Sequence, residues 1–235
     1  MKAPYIMAGD GRLATLLPTI EFLQQNGADM LEIGIPFSDP VADGPVIQAA
    51  GLRALAQGVT LAGVLNELMS HKERIAIPLV IMCYANPITR FGIERFAQVC
   101  ADIGIKGVII PDVPMEEETP FVQALRPFGI PFIRFITLTS TTERIKETLA
   151  DAEGFIYAVT VKGTTGERAS YEQDIFKLLQ QVSAQSPVPV YAGFGISSRK
   201  HIADFLQVCD GVIIGSTIVQ ALHEKRYEDI IALLK

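Results

Sequence analysis

Cysteine is scarce in this sequence. The chain of 235 residues has three cysteines, Cys83, Cys100 and Cys209, and each lies among apolar residues far from the other two. An odd number of widely spaced cysteines with no CxxC pair argues against a disulfide framework and a zinc site. No group of residues has other metal-ligand spacing, and no Rossmann or Walker glycine pattern is present. We therefore expect reduced, buried thiols and no metal.

Excess positive charge and long hydrophobic runs are also missing. The net charge is −6, so no basic surface is expected to attract nucleic acid or an anionic membrane. No apolar run approaches the ~20 residues of a membrane-spanning helix. The N-terminal MKAPYIMAGD is too short and too polar for a signal peptide. We expect no nucleic-acid or membrane partner and a cytoplasmic location.

Short apolar runs alternate with longer amphipathic segments along the chain. The apolar runs predict eight strands, near residues 4–7, 30–35, 79–83, 107–110, 132–135, 155–159, 188–191 and 211–214. The amphipathic segments predict helices at 13–26, 46–57, 61–72, 93–103, 116–126, 143–150, 172–185, 199–207 and 218–234. This alternation predicts an α/β fold with a buried parallel sheet. Eight units favour one domain over residues 1–235, a (β/α)₈ TIM barrel, although an open doubly wound sheet has the same pattern.

Glycine and hydroxyl residues follow the seventh and eighth predicted strands. The chain reads VYAGFGIS over 190–197 and IIGST over 213–217. Glycine lets backbone N–H groups approach an anion, and a helix N-terminus adds donors and a favourable dipole. In TIM barrels these two loops commonly hold a phosphate group. The two loops together predict a phosphate site, and the alternative is two ordinary turns with helix N-caps at Ser197 and Ser216.

A longer polar loop follows the sixth predicted strand. Residues 160–168 read TVKGTTGER. The length and glycine content of this loop are typical of a lid that closes over a substrate and excludes water. The N–H of Gly166 is a further candidate donor to phosphate. An exposed loop without such a role fits the composition equally well.

One carboxylate, Glu32, lies inside the second apolar strand. Its neighbours Leu31 and Ile33 are apolar, and alternation along a strand places Glu32 on the opposite face from both. If that face points into the barrel mouth, desolvation raises the pKa of the carboxyl group and suits it to general acid–base catalysis near neutral pH. The alternative is a structural acid that pairs with a buried base or a backbone N–H.

A second carboxylate, Asp43, follows the same strand and precedes Gly44 and Pro45. Taken alone, this pattern fits a helix N-cap with proline just inside the helix. Asp43 nevertheless lies on the same rim of the predicted barrel as Glu32. Two carboxyl groups at one barrel mouth are a candidate acid–base pair, so both interpretations stay open.

A series of motifs runs through the chain in a fixed order. The longest is LEIGIPFSDPVADGPVIQ over 31–48, and the others are PYIMAGD (4–10), YANPI (84–88), PDVPMEE (111–117), GTTGER (163–168), GFGISS (193–198) and IGSTIV (214–219). In these motifs the chain resembles the tryptophan synthase alpha chains, over essentially its whole length. The resemblance implies a lyase that cleaves indole-3-glycerol phosphate to indole and glyceraldehyde 3-phosphate by a retro-aldol reaction. It implies no cofactor in this subunit.

The resemblance also implies roles for individual residues. Glu32 would be the proton shuttle, which protonates the indole at C3 and helps to deprotonate the glycerol hydroxyl. Asp43 would lie near the indole N–H and stabilise the positive indolenine. The residues at positions that hold the phosphate or line the pocket in the family are Tyr5, Tyr157, Thr165, Gly166, Phe194, Gly195, Gly215 and Ser216.

The resemblance further implies a partner, a tryptophan synthase beta chain in an alpha2beta2 heterotetramer. That chain uses pyridoxal phosphate to join indole to serine. The Asp39-Pro40 loop would face it, and closure of this loop and of 160–168 would couple the two sites. The sequence departs from the usual pattern because it begins almost at the predicted first strand, so we expect it to lack the usual extra N-terminal helix. Met7 stands where threonine is common, and ITLTST (136–141) replaces an apolar-proline-threonine pattern.

Three other functions fit parts of the sequence. An isomerase or epimerase of sugar phosphates would share the loops after the seventh and eighth strands but does not require the pair Glu32 and Asp43. A non-enzymatic alpha-like subunit that mainly activates a beta chain is a second alternative. A stand-alone lyase that releases free indole is a third.

Overall fold

Eight parallel strands form one sheet in the computed structural model, which describes residues 1–159, 168–193 and 195–235, with the backbone alone for 168–172. The strands are β1 (Lys2–Met7), β2 (Leu31–Gly34), β3 (Leu79–Met82), β4 (Gly107–Ile109), β5 (Arg134–Thr137), β6 (Ile156–Val159), β7 (Val190–Gly193) and β8 (Gly211–Ile214). Their order in the sheet is β4-β3-β2-β1-β8-β7-β6-β5. The last strand therefore pairs with the first.

The two ends of the sheet meet between β4 and β5. Val108 in β4 and Phe132, just before β5, form an isolated parallel bridge. The N–H of Val108 donates to the carbonyl of Pro131 at 2.9 Å, and the N–H of Ile133 donates to the carbonyl of Val108 at 2.8 Å. A sheet whose ends join is a barrel. The predicted TIM barrel is confirmed, and the open doubly wound alternative is wrong.

Helices surround the barrel. In the described part of the chain they are α1 (Leu16–Gln25), α2 (Pro45–Ala56), α3 (Leu61–Ser70), α4 (Ala85–Phe91), α5 (Ile93–Ile103), α6 (Thr119–Leu125), α7 (Thr142–Ala150), α8 (Arg168–Gln185), α9 (Arg199–Phe205), α10 (Ser216–His223) and α11 (Tyr227–Leu234). None of these helices is long and apolar enough to span a membrane. The three cysteines are buried and unpaired, as expected from the sequence.

The observed helices differ from the predicted ones in two places. The sequence analysis missed α4, because Asn86-Pro87 is typical of a turn. Pro87 is the third residue of this helix, where the missing N–H costs no intrahelical hydrogen bond. The predicted helix 218–234 is two helices, α10 and α11. The chain reverses at Lys225, which has φ 58°, and the N–H of Arg226 donates to the carbonyl of Ala221 at 2.8 Å.

The strands are buried because both faces of the barrel wall are covered. All four residues of β2 are buried, and the same holds for β7 and β8. Alternate side chains point into the barrel and towards the helices. In β1, Tyr5 points towards the inside, where it lies over Gly34 of β2, while Ile6 lies beside residues of α1 and α10. The inward face therefore determines which side chains reach the mouth of the barrel.

Candidate active site

A cavity of about 260 Å³ opens where β1, β2, β3, β6 and β8 end. It brings together seven of the residues predicted from the sequence: Tyr5, Glu32, Asp43, Tyr157, Gly195, Gly215 and Ser216. The other three predicted residues, Thr165, Gly166 and Phe194, lie outside the described residues, as does most of the predicted lid 160–168. The cavity is at the carboxyl ends of the strands, where TIM barrels carry their active sites.

Glu32 is the most deeply buried acid of the cavity. Its side chain is 0% exposed, and neither carboxyl oxygen has a hydrogen-bond partner within residues 1–159, 168–193 and 195–235. Burial, and secondarily the charge of Asp43, raises the pKa of Glu32 to about 8. The side chain is therefore protonated at neutral pH. The alternative of a structural acid paired with a base or a backbone N–H finds no partner in this part of the chain.

Asp43 lies in the loop that joins β2 to α2. Gly44 is the N-cap of α2 and Pro45 is its first residue, and no side chain caps this helix end. The N-cap interpretation of Asp43 was therefore wrong by one residue, because glycine also serves as an N-cap. The carboxyl group lines the cavity instead. Burial raises the pKa of Asp43 to about 6, against the effect of a hydrogen bond from Tyr84.

The two acids differ in charge at neutral pH. Glu32, with a pKa of about 8, holds a proton, whereas Asp43, with a pKa of about 6, is an anion. Burial is the main cause of both shifts, but Asp43 is the less buried of the two and has a hydrogen-bond donor. Carboxyl groups whose environments separate their pKa values are typical of acid–base catalysis. This pair supplies a proton donor and a fixed negative charge in one cavity.

Two tyrosine rings of the cavity lie against glycines of neighbouring strands. A Cβ at Gly34 would come 1.9 Å from the hydroxyl oxygen of Tyr5, and a Cβ at Gly193 would come 2.3 Å from the ring of Tyr157. Burial raises the pKa of both tyrosines well above the usual range, so both are neutral phenols. The glycines let the rings lie close to the strands and keep the cavity open.

We expect Gly34→Ala to destabilise the protein and obstruct the cavity. The new methyl group would push the Tyr5 ring away from β2, and overpacking of this kind typically costs about 1–3 kcal/mol. We therefore expect a lower melting temperature and roughly tenfold weaker substrate binding, measured as KM.

Gly51→Ala is a matched control, since the nearest atom to a Cβ there is 3.6 Å away. We expect that variant to be neutral or slightly more stable, because alanine is the better helix former. Adding Tyr5→Ala to Gly34→Ala should recover part of the lost stability, because it removes the colliding ring. Equal melting temperatures for Gly34→Ala and Gly51→Ala would contradict the proposed contact.

The loops after β7 and β8 form the other side of the cavity. Ser198, not Ser197, is the N-cap of α9, and its hydroxyl accepts from the N–H of His201 at 3.2 Å. Gly215, not Ser216, is the N-cap of α10, and no side chain among the described residues caps this helix. Both N-cap alternatives were therefore wrong by one residue. The first backbone N–H groups of α10 are donors at the positive end of the helix dipole, and this favours binding of an anion.

A hydrogen bond joins these two loops. The hydroxyl of Thr217 donates to the carbonyl of Ile196 at 3.0 Å. Gly195, one residue earlier, has φ 75°, in the left-handed region that favours glycine. The loops therefore hold a fixed position relative to each other, with Gly195, Gly215 and Ser216 all lining the cavity. This arrangement can accept a phosphate group.

Comparison with known proteins identifies the family. The sequence model described as "Tryptophan synthase alpha chain" matches residues 2–234. The chain is 49% identical to the tryptophan synthase alpha chain of Oceanobacillus iheyensis over 232 residues, which are 99% of this chain and 88% of that protein. It is 46% identical to the one from Bacillus thuringiensis subsp. konkukian over 227 residues, 97% of this chain and 88% of that protein. The chain belongs to the tryptophan synthase alpha chain family.

Solved structures agree with this membership. The tryptophan synthase subunit alpha from Campylobacter jejuni superposes with a TM-score of 0.89 at 30% identity, over 99% of this chain and 94% of that chain. A chain of the tryptophan synthase complex from Pyrococcus furiosus gives a TM-score of 0.88 at 29% identity, over 99% of this chain and 96% of that chain. Membership of the tryptophan synthase alpha family excludes the isomerase and epimerase alternative.

The sequence analysis missed the apolar wall of the cavity in this member of the tryptophan synthase alpha family. That wall includes Val46, Ile47, Met82 and Ile196. Met82 ends β3 and pairs in register with Gly34, so its place at the rim follows from the strand prediction once the register is known. Val46 and Ile47 are in the first turn of α2, and helix periodicity alone assigns them to a core-facing side. The wall suits a flat aromatic ring.

Proposed function

We propose that this chain cleaves indole-3-glycerol phosphate with Glu32 as the group that transfers the proton and Asp43 as a fixed negative charge. Tryptophan synthase alpha chains cleave this substrate to indole and glyceraldehyde 3-phosphate in tryptophan biosynthesis, and the chain belongs to that family. The observation that supports these residue roles is the difference between the two carboxyl pKa values in one cavity, about 8 for Glu32 and about 6 for Asp43.

The first step is protonation of the indole ring. Glu32 gives its proton to C3, the ring carbon that carries the glycerol chain. The ring then bears a positive charge, shared with its nitrogen. Asp43 is an anion at the same cavity and stabilises this charge, and such an interaction is strong because the site is largely shielded from water. The proposal therefore requires a protonated Glu32 and an ionised Asp43 at the start of the reaction.

The second step breaks the carbon–carbon bond. Glu32, now a carboxylate, accepts the proton of the glycerol hydroxyl next to C3. The electron pair of the breaking bond returns to the ring, which becomes neutral indole, and the hydroxyl carbon becomes the aldehyde of glyceraldehyde 3-phosphate. One hydrogen has moved from oxygen to carbon, and Glu32 is protonated again. The step needs neither an oxidant nor a reductant.

The phosphate group of the substrate is proposed to bind at the N-terminus of α10. Gly195, Gly215 and Ser216 line the cavity there, and no side chain among the described residues caps this helix end. The family motifs add Thr165, Gly166 and Phe194 as candidates. Tyr5 and Tyr157, together with the apolar wall, are proposed to hold the indole ring at the other end of the cavity.

We expect a bell-shaped dependence of kcat/KM on pH. Activity should fall as the pH drops below about 6, because protonation removes the charge of Asp43. It should also fall as the pH rises above about 8, because Glu32 then loses the proton that it must donate. Initial rates of indole release from about pH 5 to about pH 9.5, a range that brackets both pKa values, measure this profile. A rate that stays flat on the alkaline side would contradict the role of Glu32.

The proposed partner is a tryptophan synthase beta chain, in an alpha2beta2 heterotetramer. A structural relative belongs to a tryptophan synthase complex. The loop around Asp39-Pro40 is proposed to face the partner, and Val41 beside it is 82% exposed. An apolar side chain that is so exposed on a loop fits a surface that a second chain covers.

A cytoplasmic location and a single domain over residues 1–235 complete the proposal. The family acts in biosynthesis, and buried, unpaired cysteines suit a reducing compartment. All eight strands belong to one sheet, which supports one domain.

The test of the proposed function is indole release from indole-3-glycerol phosphate, first by the purified chain and then with a beta chain added. We expect slow release that rises strongly with the beta chain. Fast release that the beta chain leaves unchanged would indicate a stand-alone lyase. No release in either case, from a chain that still raises the activity of the beta chain, would indicate the non-enzymatic alternative.

A further inference from the structure

Tyr84 is a buried tyrosine beside the cavity, at the end of β3. It is 3% exposed and occupies the N-cap position of α4. The next backbone N–H, that of Ala85, donates to a carboxyl oxygen of Asp112 at 2.9 Å. Just before it, the N–H of Cys83 donates to the carbonyl of Ile109 at 3.0 Å. The backbone of Tyr84 is therefore fixed to the barrel on both sides, so its side chain projects from a rigid position.

That side chain contacts both ends of the loop between β2 and α2. Its ring stacks on Phe37, with centroids 5.0 Å apart and planes 28° from parallel. Its hydroxyl oxygen accepts from the N–H of Ala42 at 3.1 Å. Because the oxygen accepts that bond, the hydroxyl hydrogen remains available to Asp43, the residue that follows Ala42 in the chain. One side chain thus contacts both Phe37 and the Ala42–Asp43 pair.

The loop has few other connections to the barrel. The hydroxyl of Ser38 donates to the carboxyl of Asp39, and the N–H groups of Val41 and Asp43 donate to carbonyls within the loop. The amide of Gln48 in α2 donates to the carbonyl of Asp43. For residues 38–43 these bonds are local, and within residues 1–159, 168–193 and 195–235 Tyr84 is the barrel residue with which the loop forms hydrogen bonds.

In the described part of the chain, four titratable side chains interact with the Asp43 carboxyl group. Glu32 faces it from β2, Tyr5 from β1, Tyr157 from β6 and Tyr84 from the end of β3. None of the four is a cation. Tyr84 is the one whose contact lowers the pKa of Asp43. A hydrogen bond to the charged form of a carboxyl group favours ionisation.

We propose that Tyr84 is a positioning residue for Asp43: through its contacts with Phe37 and Ala42 it holds the loop so that the Asp43 carboxylate stays at the cavity. The inference rests on the proposed function, because it assigns Tyr84 a role only through Asp43. It goes beyond that function because it names Tyr84 as the residue that links the position of the loop to the negative charge of Asp43, on which the first step depends.

Tyr84→Phe tests the inference, because it keeps the ring that stacks on Phe37 and removes only the hydroxyl. We expect kcat for cleavage of indole-3-glycerol phosphate to fall about tenfold, with a smaller change in KM. We also expect the acid limb of the pH profile to move to higher pH by roughly half a unit to one unit, because Asp43 loses a donor.

Tyr191→Phe is the matched control. Tyr191 is a buried tyrosine whose ring stacks on Phe155, with centroids 4.5 Å apart. We expect Tyr191→Phe to leave the acid limb of the pH profile as in the wild type.

A double variant separates positioning from a general effect on folding. In the Asp43→Asn background, Tyr84→Phe should cost little further activity, because the group through which it acts is already absent. An unchanged acid limb, or an equal loss of kcat in both backgrounds, would overturn the inference. If Asp43→Asn itself keeps full activity, the role of Asp43 in the proposed function fails. If Asp43→Asn loses activity while Tyr84→Phe behaves as wild type, the inference about Tyr84 alone fails.

Discussion

Glu32→Gln is expected to lower kcat by about 10³-fold or more and, at the same time, to make the folded protein more stable at neutral pH. The loss of activity follows because an amide can neither give a proton to C3 nor accept one from the glycerol hydroxyl, and general acid–base groups contribute about 10²–10⁴-fold. Since this one side chain performs both proton transfers, we expect a value in the upper part of that range. Indole release measures the effect.

The gain in stability follows from the pKa of Glu32. This pKa is about 8 in the folded protein against 4.5 for an ordinary glutamate. Below pH 4.5 both states are protonated and the group costs nothing. As the pH rises towards 8, the unfolded state loses its proton and the folded state keeps it, so stability falls by about 1.4 kcal/mol per pH unit. At pH 7 the cost is roughly 3 kcal/mol, and glutamine, which is neutral at every pH, removes it.

Glu118→Gln is the matched control, since Glu118 is also a buried glutamate. Its carboxyl group pairs with Arg134, whose Nε donates to it at 3.1 Å. Breaking that pair leaves a buried cation, so we expect a loss of stability of about 3 kcal/mol with little change in kcat. The two variants should therefore move the melting temperature in opposite directions. A Glu32→Gln variant that keeps more than a tenth of the wild-type kcat would contradict the proposed role.

Asp43→Asn is expected to lower kcat by about 10²-fold while leaving the fold nearly unchanged. The amide keeps the size of the side chain but not the negative charge that stabilises the protonated ring, and loss of one such electrostatic group typically costs about 10²–10³-fold. The melting temperature should not fall, because Gly44 rather than Asp43 caps α2. At neutral pH it should rise, because burial raises the pKa of Asp43 from 3.8 to about 6, so that the ionised carboxyl group destabilises the fold and a neutral amide does not. The acid limb of the pH profile should also disappear, since it is due to protonation of Asp43.

Binding of glycerol 3-phosphate distinguishes a specific effect from a damaged cavity. This probe carries the phosphate end of the substrate, and Asp43→Asn should bind it as tightly as the wild type. Asp151→Asn, an exposed aspartate at the end of α7, should match the wild type in both rate and binding. If Asp43→Asn only lowers the melting temperature and keeps the wild-type kcat, Asp43 is a structural residue.

The sequence was sufficient to predict eight strands because each contains a short, mainly apolar run, although the fifth begins two residues later than predicted, at Arg134. Eight strand–helix units also favoured a closed barrel, but the sequence did not show which residues close it, the bridged pair Val108 and Phe132. The helix α4 was missed because proline in a first turn looks the same in sequence as proline in a loop. Local patterns also placed the N-caps of α2, α9 and α10 one residue away from their positions.

Site residues that belong to one sequence motif could be predicted, whereas contacts between residues far apart in the sequence could not. Glu32 and Asp43 belong to one motif, so the sequence indicated both. Tyr84 is separated from Ala42 by 42 positions, and no local pattern shows that its hydroxyl reaches this loop. The contact between Tyr5 and Gly34 likewise depends on the register of β1 and β2. Contacts of this kind can be assigned only when the pairing register of the neighbouring strands is known.

The bridge between β4 and β5 has a consequence for the motion of the barrel. Neighbouring strands elsewhere share registers of three or four residues, whereas this junction has a single bridged pair. Local opening begins where the fewest hydrogen bonds must break. We therefore expect the barrel to open first between β4 and β5, on the side away from β1. The strands that carry Tyr5 and Glu32 stay paired during such an opening, so the proton-transfer group keeps its alignment while the opposite wall loosens.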